Sequence, residues 1–557
     1  MKHYLQTLYI IAFFLITISC ICKAQSYNYY FGNIHAHSSY SDGNKDSASS
    51  LMTTPLQDFN YAKASQHIDF YGISDHNHLA AGMQSPVYYH KGLADADSAT
   101  TEGSFVALYG MEWGIISGGG HVIIYGYDSL IGWETNNYDV YVAKNNYTNL
   151  WKKINAKQGA FGYLAHPEVG DFGDILANPA VLQADNAIAG MAVRSGPAFS
   201  TNTTYSNPST SNNIADYNNA LKQGYHVGVG LDHDTHYSVF GRQSAGRLVV
   251  LAPALTRAAI LEAFRKMRFY SSDDWNTEIN FTISNQSMGS ILEKAGSPTI
   301  NVTVTDPDIS ETVSTITVYY GIPGSGNNPT TLNSVSNSAS LSYTHTINNN
   351  STYYYYLKIT QGDGNTIWTS PIWYTRNDAV TNSPPVANFT SSSTSLCSGH
   401  EVTFTDNTTN APTDWYWSIP GAIPDTSSNQ STVAVFPYPG TYLVSLTTSN
   451  LYGTSNTVTK TITVLDCNTS IAEGSATGQI HIYPNPANNV LIVDAGTLPG
   501  SKTIEISDLQ GKLLLAKTST AQRAEFDIAA LPAGTYIVNV KLDEILYSTE
   551  KIVVERK

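Results

Sequence analysis

Charge is scarce in this sequence. Only 13% of its 557 residues are Asp, Glu, Lys or Arg, while Tyr, Ser, Thr and Asn are abundant. That balance suits an extracellular, β-rich protein better than a cytosolic enzyme. Basic residues are the scarcer sign, 29 Lys and Arg against 44 Asp and Glu. The net charge of -15 repels phosphate backbones and argues against stable nucleic-acid binding. Cysteine is nearly missing, with four in the chain. Cys20 and Cys22 lie in the N-terminal leader. Cys397 and Cys467 belong to no CxxC, which argues against a zinc knuckle. They flank a β-rich segment and either form a disulfide in an oxidising compartment or stand as independent thiols. Beyond the leader no apolar run is long enough to span a membrane, so no transmembrane span is expected after signal removal.

The leader itself has the shape of a signal peptide over residues 1–24: Lys2, an apolar run at 8–18, then Cys22-Lys23-Ala24 before Gln25. A lipoprotein reading through Cys20 is weaker, because Thr17 stands where a lipobox wants Leu or Val. The length suggests about three to four domains. From 26 to 275, short apolar runs (30–34, 70–73, 105–109, 160–164, 190–193 and 226–230) alternate with helix-like stretches at 55–67, 147–157, 214–223 and 256–267. Repeated strand–helix units predict a parallel sheet or barrel. After Trp275 helical periodicity disappears. An all-β accessory domain is expected over 277–376, a second β-rich unit over 386–465 and a third over 479–557, separated by polar linkers at 377–385 and 466–478.

Histidine is distributed unevenly: of 15, eleven lie between His35 and His236. That places the chemistry in the first domain. His35-Ala36-His37 with Ser41-Asp42-Gly43 follows the first predicted strand. Two imidazoles at i and i+2 on an extended segment can turn to one metal, and a nearby Asp adds a hard oxygen. An isolated HxH is usually incidental, but the context repeats. Ser74-Asp75-His76, Gly110-Met111-Glu112, Gly120-His121, Ala165-His166-Pro167 and Asp232-His233-Asp234-Thr235-His236 all bring ligand-type residues to the end or start of an apolar strand. Strand C-termini of a parallel barrel converge on one face.

This ordered set resembles the PHP (polymerase and histidinol phosphatase) superfamily, and the Asp232-x-Asp234-x-His236 string, Arg247 and 268–273 resemble its CehA/McbA-like branch. The resemblance covers about the first half of the chain. It implies a multidomain chain in which an α/β, distorted (βα)7 PHP barrel precedes three all-β sandwich-like domains. It implies two or three divalent ions (Zn, Mn or Fe) held by His35, His37, Asp42, His76, Glu112, His121, His166, Asp234 and His236, with Glu112 bridging. Glu112, Asp234 and His236 are the expected catalytic residues. Asp232 is a ligand or an outer acceptor, and Asp75 an orienting carboxylate. Arg242 and Arg247 are candidate substrate clamps or structural ion pairs, and Arg194 shares that ambiguity. His67, His78 and His233 are weaker candidates.

The expected activity is hydrolysis by a water made acidic between metals. Phosphate esters are favoured, with carbamate or carboxylic esters of small-molecule or extracellular origin as the alternative. A catalytically inactive surface adhesin is the rival class. Val402-Thr403-Phe404-Thr405-Asp406, Trp415-Tyr416-Trp417 and Tyr438-Pro439-Gly440-Thr441-Tyr442 resemble a PKD domain, although the Trp-x-Phe-Gly-Asp-Gly pattern is replaced by Trp417-Ser418-Ile419-Pro420-Gly421. Ile482-Tyr483-Pro484-Asn485-Pro486-Ala487, Gly511-Lys512-Leu513-Leu514 and Leu531-Pro532-Ala533-Gly534-Thr535-Tyr536 are similar to the C-terminal sorting domain of the type IX secretion system. That likeness implies contact with the secretion machinery and a secreted or cell-surface location.

Overall fold

The computed structural model describes residues 27–115, 119–209, 211–308, 311–467, 480–495, 501–509, 512–542 and 545–556. The expected signal peptide and most of the second linker lie outside them. No helix among the described residues is long and apolar enough to cross a membrane. The chain divides into two compact units, Met1–Asp466 and Cys467–Lys557.

The first unit is organised around one long mixed sheet. Strands β1 (Asn28–Asn33), β2 (Phe70–His76) and β3 (Val106–Ile115) are parallel neighbours. Strand β4 (Gly120–Tyr125) turns back antiparallel on β3. Two short strands, β5 (Ile131–Gly132) and β6 (Val140–Tyr141), pair with each other. Then β7 (Phe161–Ala165) lies antiparallel to β4, and β8 (Ile188–Ser195) and β9 (Gly228–Asp232) follow in parallel. On the other side of β1 come β10 (Arg247–Ala252) and β11 (Phe269–Ser272), both antiparallel to their neighbours. Every residue of β2 and of β4 is buried, as expected for strands covered on both faces. The covering helices start where the sequence offers caps: Thr54 accepts from Gln57 N with Pro55 in the first turn, and Thr256 accepts from Ala259 N.

This sheet corrects the expected (βα)7 barrel. Strand accounts for 43% and helix for 12% of the described residues, so they are mostly β rather than α/β. The hydrogen-bonded path is open: it ends on β9 at one side and, at the other, continues from β11 into strands of the next segment. The physical reason is directional. Strands β4 and β10 run against the parallel set, and the outer edge of β11 is taken by an antiparallel partner from the next segment.

That partner belongs to residues 277–376. The strands here are β12 (Glu278–Ile283), β13 (Gln286–Ser287), β14 (Ile291–Lys294), β15 (Thr299–Thr305), β16 (Val313–Gly321), β17 (Thr330–Ser336), β18 (Ser340–Thr344), β19 (Thr352–Gln361), β20 (Thr366–Thr369) and β21 (Ile372–Arg376). Strand β20 pairs with β11, and β14, β16, β17, β19 and β21 extend the same sheet. The strands β13, β12, β15 and β18 form a second sheet. Phe31, Val249, Leu251 and Tyr270 of the first segment share one core with Ile279, Phe281, Val302 and Ile359. The segment is therefore welded to the histidine-rich part by both hydrogen bonds and apolar packing. Tyr354, Tyr355 and Tyr356 of β19 are buried and belong to its packing.

Residues 386–465 fold as two sheets around Trp417, whose ring meets Phe389 edge-on at 5.1 Å and lies 6.0 Å from Phe404. Cys397 and Cys467 are both disulfide-bonded. The second unit pairs a three-stranded and a four-stranded sheet over a core containing Leu491, Val493, Ile504, Phe526 and Val538.

Candidate metal centre

The backbone brings the sequence motifs together in pairs. Residues 35–37 leave β1 extended, so His35 and His37 face the same way. Ala36 between them bridges Thr235, and His37 N donates to Thr235 O at 2.8 Å. The HxH segment is thus laced to the 234–236 segment beyond β9. His76, the last residue of β2, lies in register with Glu112 on β3. His121 lies in register with Ala165 on β7, one residue before His166. His166 and Asp234 both sit in the left-handed region, at φ 29 and φ 49. Such backbone strain in residues other than glycine persists where surrounding structure holds it, often at functional sites.

Glu112 is the hub. Its carboxylate oxygens lie 2.8 Å from His121 Nδ1, 2.9 Å from His76 Nδ1, 3.2 Å from His35 Nε2, and 3.3 Å from both His37 Nε2 and His166 Nε2. Asp234 Oδ1 approaches His37 Nε2 at 3.1 Å and His35 Nε2 at 3.2 Å. Asp42 Oδ1 stands 3.4 Å from His236 Nε2 and 3.6 Å from His76 Nε2. All nine sequence-predicted ligands therefore meet in one cluster. Three groups of ligand atoms are close enough to share an ion: His35, His37 and Glu112; His76, Glu112 and His121; and His37, Asp42, His76 and His236.

The donor chemistry fits divalent metal. His35 Nδ1 and Nε2, His76 Nδ1, His121 Nε2, Asp42 Oδ1 and both oxygens of Glu112 are buried without a well-formed hydrogen bond. Buried polar atoms left this way are destabilising unless something else satisfies them. Burial opposes the charged form of Glu112, but the imidazoles of His121, His35 and His76 outweigh it and hold the carboxyl well below its usual range. Burial and the neighbouring His76 push His37 down to about 3, which keeps a lone pair available. Mixed imidazole and carboxylate donors suit Zn, Mn or Fe.

Other residues aim these ligands. Asp232 Oδ2 lies 3.4 Å from His35 Nδ1, while its Oδ1 accepts from Ser195 Oγ at 2.5 Å. This pairing turns His35 Nε2 toward Glu112 and Asp234, the arrangement expected of an outer carboxylate. Asp75 does not touch His76. It accepts from Ser38 N at 2.7 Å, Ser38 Oγ and Tyr109 OH at 2.6 Å, and Ser41 Oγ at 2.5 Å, and so pins the loop that carries His37 and Asp42. Ser195 and Tyr109 were not legible as site residues, because their role depends on strand register. Ser195 lies opposite Asp232 between β8 and β9.

The expected substrate arginines face elsewhere. Arg247 is wholly buried and donates to the carbonyls of His67, Ser244, Gly246, Gln66 and Gly241. Arg242 donates to Ser65 Oγ and Ala64 O and lies over the Tyr61 ring at 4.2 Å. Arg194 forms an ion pair with Asp273. A guanidinium fully engaged with carbonyls has no donors left for a substrate. His233 is a buried structural residue, within 2.9 Å of Gly246 O; His67 stacks on Trp275. Sequence reasoning passed over Lys45 and Phe199 at the mouth: Lys45 Nζ is 3.1 Å from Asp42 Oδ2, and exposed Phe199 lies 4.7 Å from the His236 ring.

Two family models match the chain. Residues 382–464 match the PKD domain. Residues 481–555 match the secretion system C-terminal sorting domain. The protein is secreted to the cell surface. The sorting domain marks it as a client of the type IX secretion machinery. Neither match reaches the histidine cluster, and no curated protein matches the chain. Solved structures similar to parts of it include the chicken CNTN1 FN1–FN3 domains (10% identity, 50% of this chain and 98% of that one, TM-score 0.18). The fibronectin(III)-like modules of Clostridium thermocellum CbhA match at 13% identity over 35% of this chain and 100% of that one, TM-score 0.15. Dimeric latent PorU from Porphyromonas gingivalis matches at 12% identity over 54% of this chain and 36% of that one, TM-score 0.14.

Proposed function

We propose that the histidine-rich segment is a metal-dependent hydrolase that the sorting domain delivers to the cell surface, with phosphate esters as its favoured substrates. The observation that carries this reading is the single buried carboxylate of Glu112 with five imidazole nitrogens 2.8–3.3 Å away. The ordered motifs and their likeness to PHP metallohydrolases add support.

His35, His37 and Glu112 would hold one ion; His76, Glu112 and His121, beside His166, a second; Asp42 and His236, with His37 and His76, a third. Bound there, divalent ions would supply Lewis acidity toward an ester oxygen and would lower the pKa of water at the site. The protein's own part is orientation. Asp232 stands behind His35, its Oδ2 3.4 Å from Nδ1. His236 Nδ1 lies 2.8 Å from Asp234 O, which leaves its Nε2 facing Asp42. Asp75 holds the HxH loop, so the ligands are arranged before substrate arrives. Lys45 is the cation beside the cluster and a candidate contact for an anionic substrate.

The test is a hydrolysis screen of the mature chain reconstituted with Zn, Mn or Fe against phosphomonoesters, phosphodiesters, aryl esters and carbamates, with His35→Ala as control. Activity confined to aryl esters and carbamates moves the reading to carbonyl chemistry. Negligible bound metal together with no hydrolysis favours a surface adhesin.

A further inference from the structure

A second group of carboxylates lies in the segment that follows β11. We propose that Asp274, Asp306 and Glu311, with the side-chain oxygens of Asn276 and Gln361, form an oxygen-only site for calcium. Three chain segments converge here. Asp274 and Asn276 lie between β11 and β12, Asp306 follows β15, Glu311 precedes β16, and Gln361 ends β19. One carboxylate oxygen from each of Asp274, Asp306 and Glu311 lies within 4.8 Å of the other two.

Carboxylates alone do not make a site; the buried amides around them are the second observation. Gln361 is 2% exposed and Asn276 8%. Gln361 Nε2 sits among the acids, 2.7 Å from Asp306 Oδ2 and 3.4 Å from Glu311 Oε2. Asn276 Nδ2 donates to Asp308 Oδ2 at 3.2 Å. Yet Gln361 Oε1 and Asn276 Oδ1 are buried with no hydrogen-bond partner. A half-turn of a terminal amide exchanges its nitrogen and oxygen at little torsional penalty. The same two side chains that now donate to the carboxylates would then offer oxygens at the same place, beside a cation that replaces their protons. Calcium takes six to eight oxygen ligands in flexible geometry, and carboxylate, amide and water oxygens suit it over softer metals.

The charge balance points the same way. Among the described residues no Lys, Arg or His lies within ion-pair distance of Asp274, Asp306, Asp308 or Glu311. The adjacent Asp273 is neutralised by Arg194. Asp274 is 3% exposed and already accepts from Asn276 N at 2.7 Å and Thr277 N at 3.1 Å, so its carboxylate is fixed. Glu311 and Asp274 bring carboxylate oxygens within 4.8 Å of each other, and a cation between two acids removes their repulsion. The site is distinct in kind from the imidazole cluster and does not depend on the hydrolase reading.

The experiment is a calcium titration of the metal-stripped full chain, read by calorimetry and by Tm. We expect one saturable calcium and a Tm rise of about 3 °C or more. The His35→Ala variant should bind calcium as the wild type does. Asp306→Asn and Glu311→Gln should each weaken binding at least about tenfold. Should Asp306→Asn fold poorly, Glu311→Gln and wild-type terbium luminescence, sensitised by Trp275 and quenched on calcium addition, carry the test. No calcium binding, binding unchanged in Glu311→Gln, binding lost in His35→Ala, equal affinity for magnesium, or terbium emission that calcium leaves intact would each overturn the assignment.

Discussion

Replacing Glu112 with Gln keeps the side chain's size and removes one charge where five imidazoles meet. Of the three ligand groups, two include Glu112 and the third does not. The variant should therefore retain at most one ion in the His37, Asp42, His76 and His236 group. A unit charge pair about 3 Å apart is worth on the order of 5 kcal/mol at an effective dielectric of about 20. Relaxation and rehydration reduce that figure, so we expect each affected ion to lose about 3 kcal/mol, roughly a hundredfold in affinity. At a free-metal concentration a hundred times Kd, one ion stabilises the fold by about 2.7 kcal/mol. Losing two would remove about 5 kcal/mol of metal-linked stability. The assay is elemental analysis after dialysis, paired with Tm measured with and without chelator. Wild type should show a large chelator-dependent fall in Tm and Glu112→Gln a small one, with hydrolysis down by at least about a thousandfold. Unchanged metal content in Glu112→Gln would refute the reasoning, because it would mean that the carboxylate is not the shared ligand.

Arg247→Leu strands five backbone carbonyls that now accept from a buried guanidinium, and should cost more than about 4 kcal/mol, seen as lost soluble yield or a collapsed Tm; an equally stable variant with raised KM would restore the substrate-binding role. Burial alone would lower the pKa of His226, but Asp185, 2.9 Å from its Nδ1, more than offsets this and raises it. A raised folded-state pKa means that the stabilisation is complete below about pH 6.5 and fades as pH climbs through the folded value. The difference in unfolding free energy between wild type and Asp185→Asn should accordingly be largest near pH 5.5 and shrink toward pH 9; growth with pH would contradict it. Deleting residues 481–555 should abolish surface display measured by protease accessibility on intact cells, and retained display would remove the sorting role from this unit.

Much of the histidine cluster was legible because strand ends carry their own signal: a buried apolar run that stops at a His, Asp or Glu. His35, His76 and His166 follow that rule, whereas Glu112 lies inside β3. Architecture was less legible. Alternating strand and helix patterns do not encode strand direction, and the reversed courses of β4 and β10 belong to a mixed, mostly β sheet where a (βα)7 barrel was expected. Arg247 shows the same limit in miniature. Its position after the last motif suggested an anion clamp, but whether a guanidinium meets a substrate or five carbonyls depends on which loops surround it.

Local chemistry by itself determined which side chains are of metal-ligating type, where the β-rich segments begin and that residues 481–555 resemble a sorting domain, since these depend on residue type and short spacing. Only the tertiary structure decided that residues 277–376 share a sheet and a core with the histidine-rich segment, that Asp75 holds a loop rather than an imidazole, and that Asp232 stands behind His35. Those facts rest on long-range register, which places residues that are a hundred or more positions apart within hydrogen-bond reach and leaves no trace in any short window of sequence.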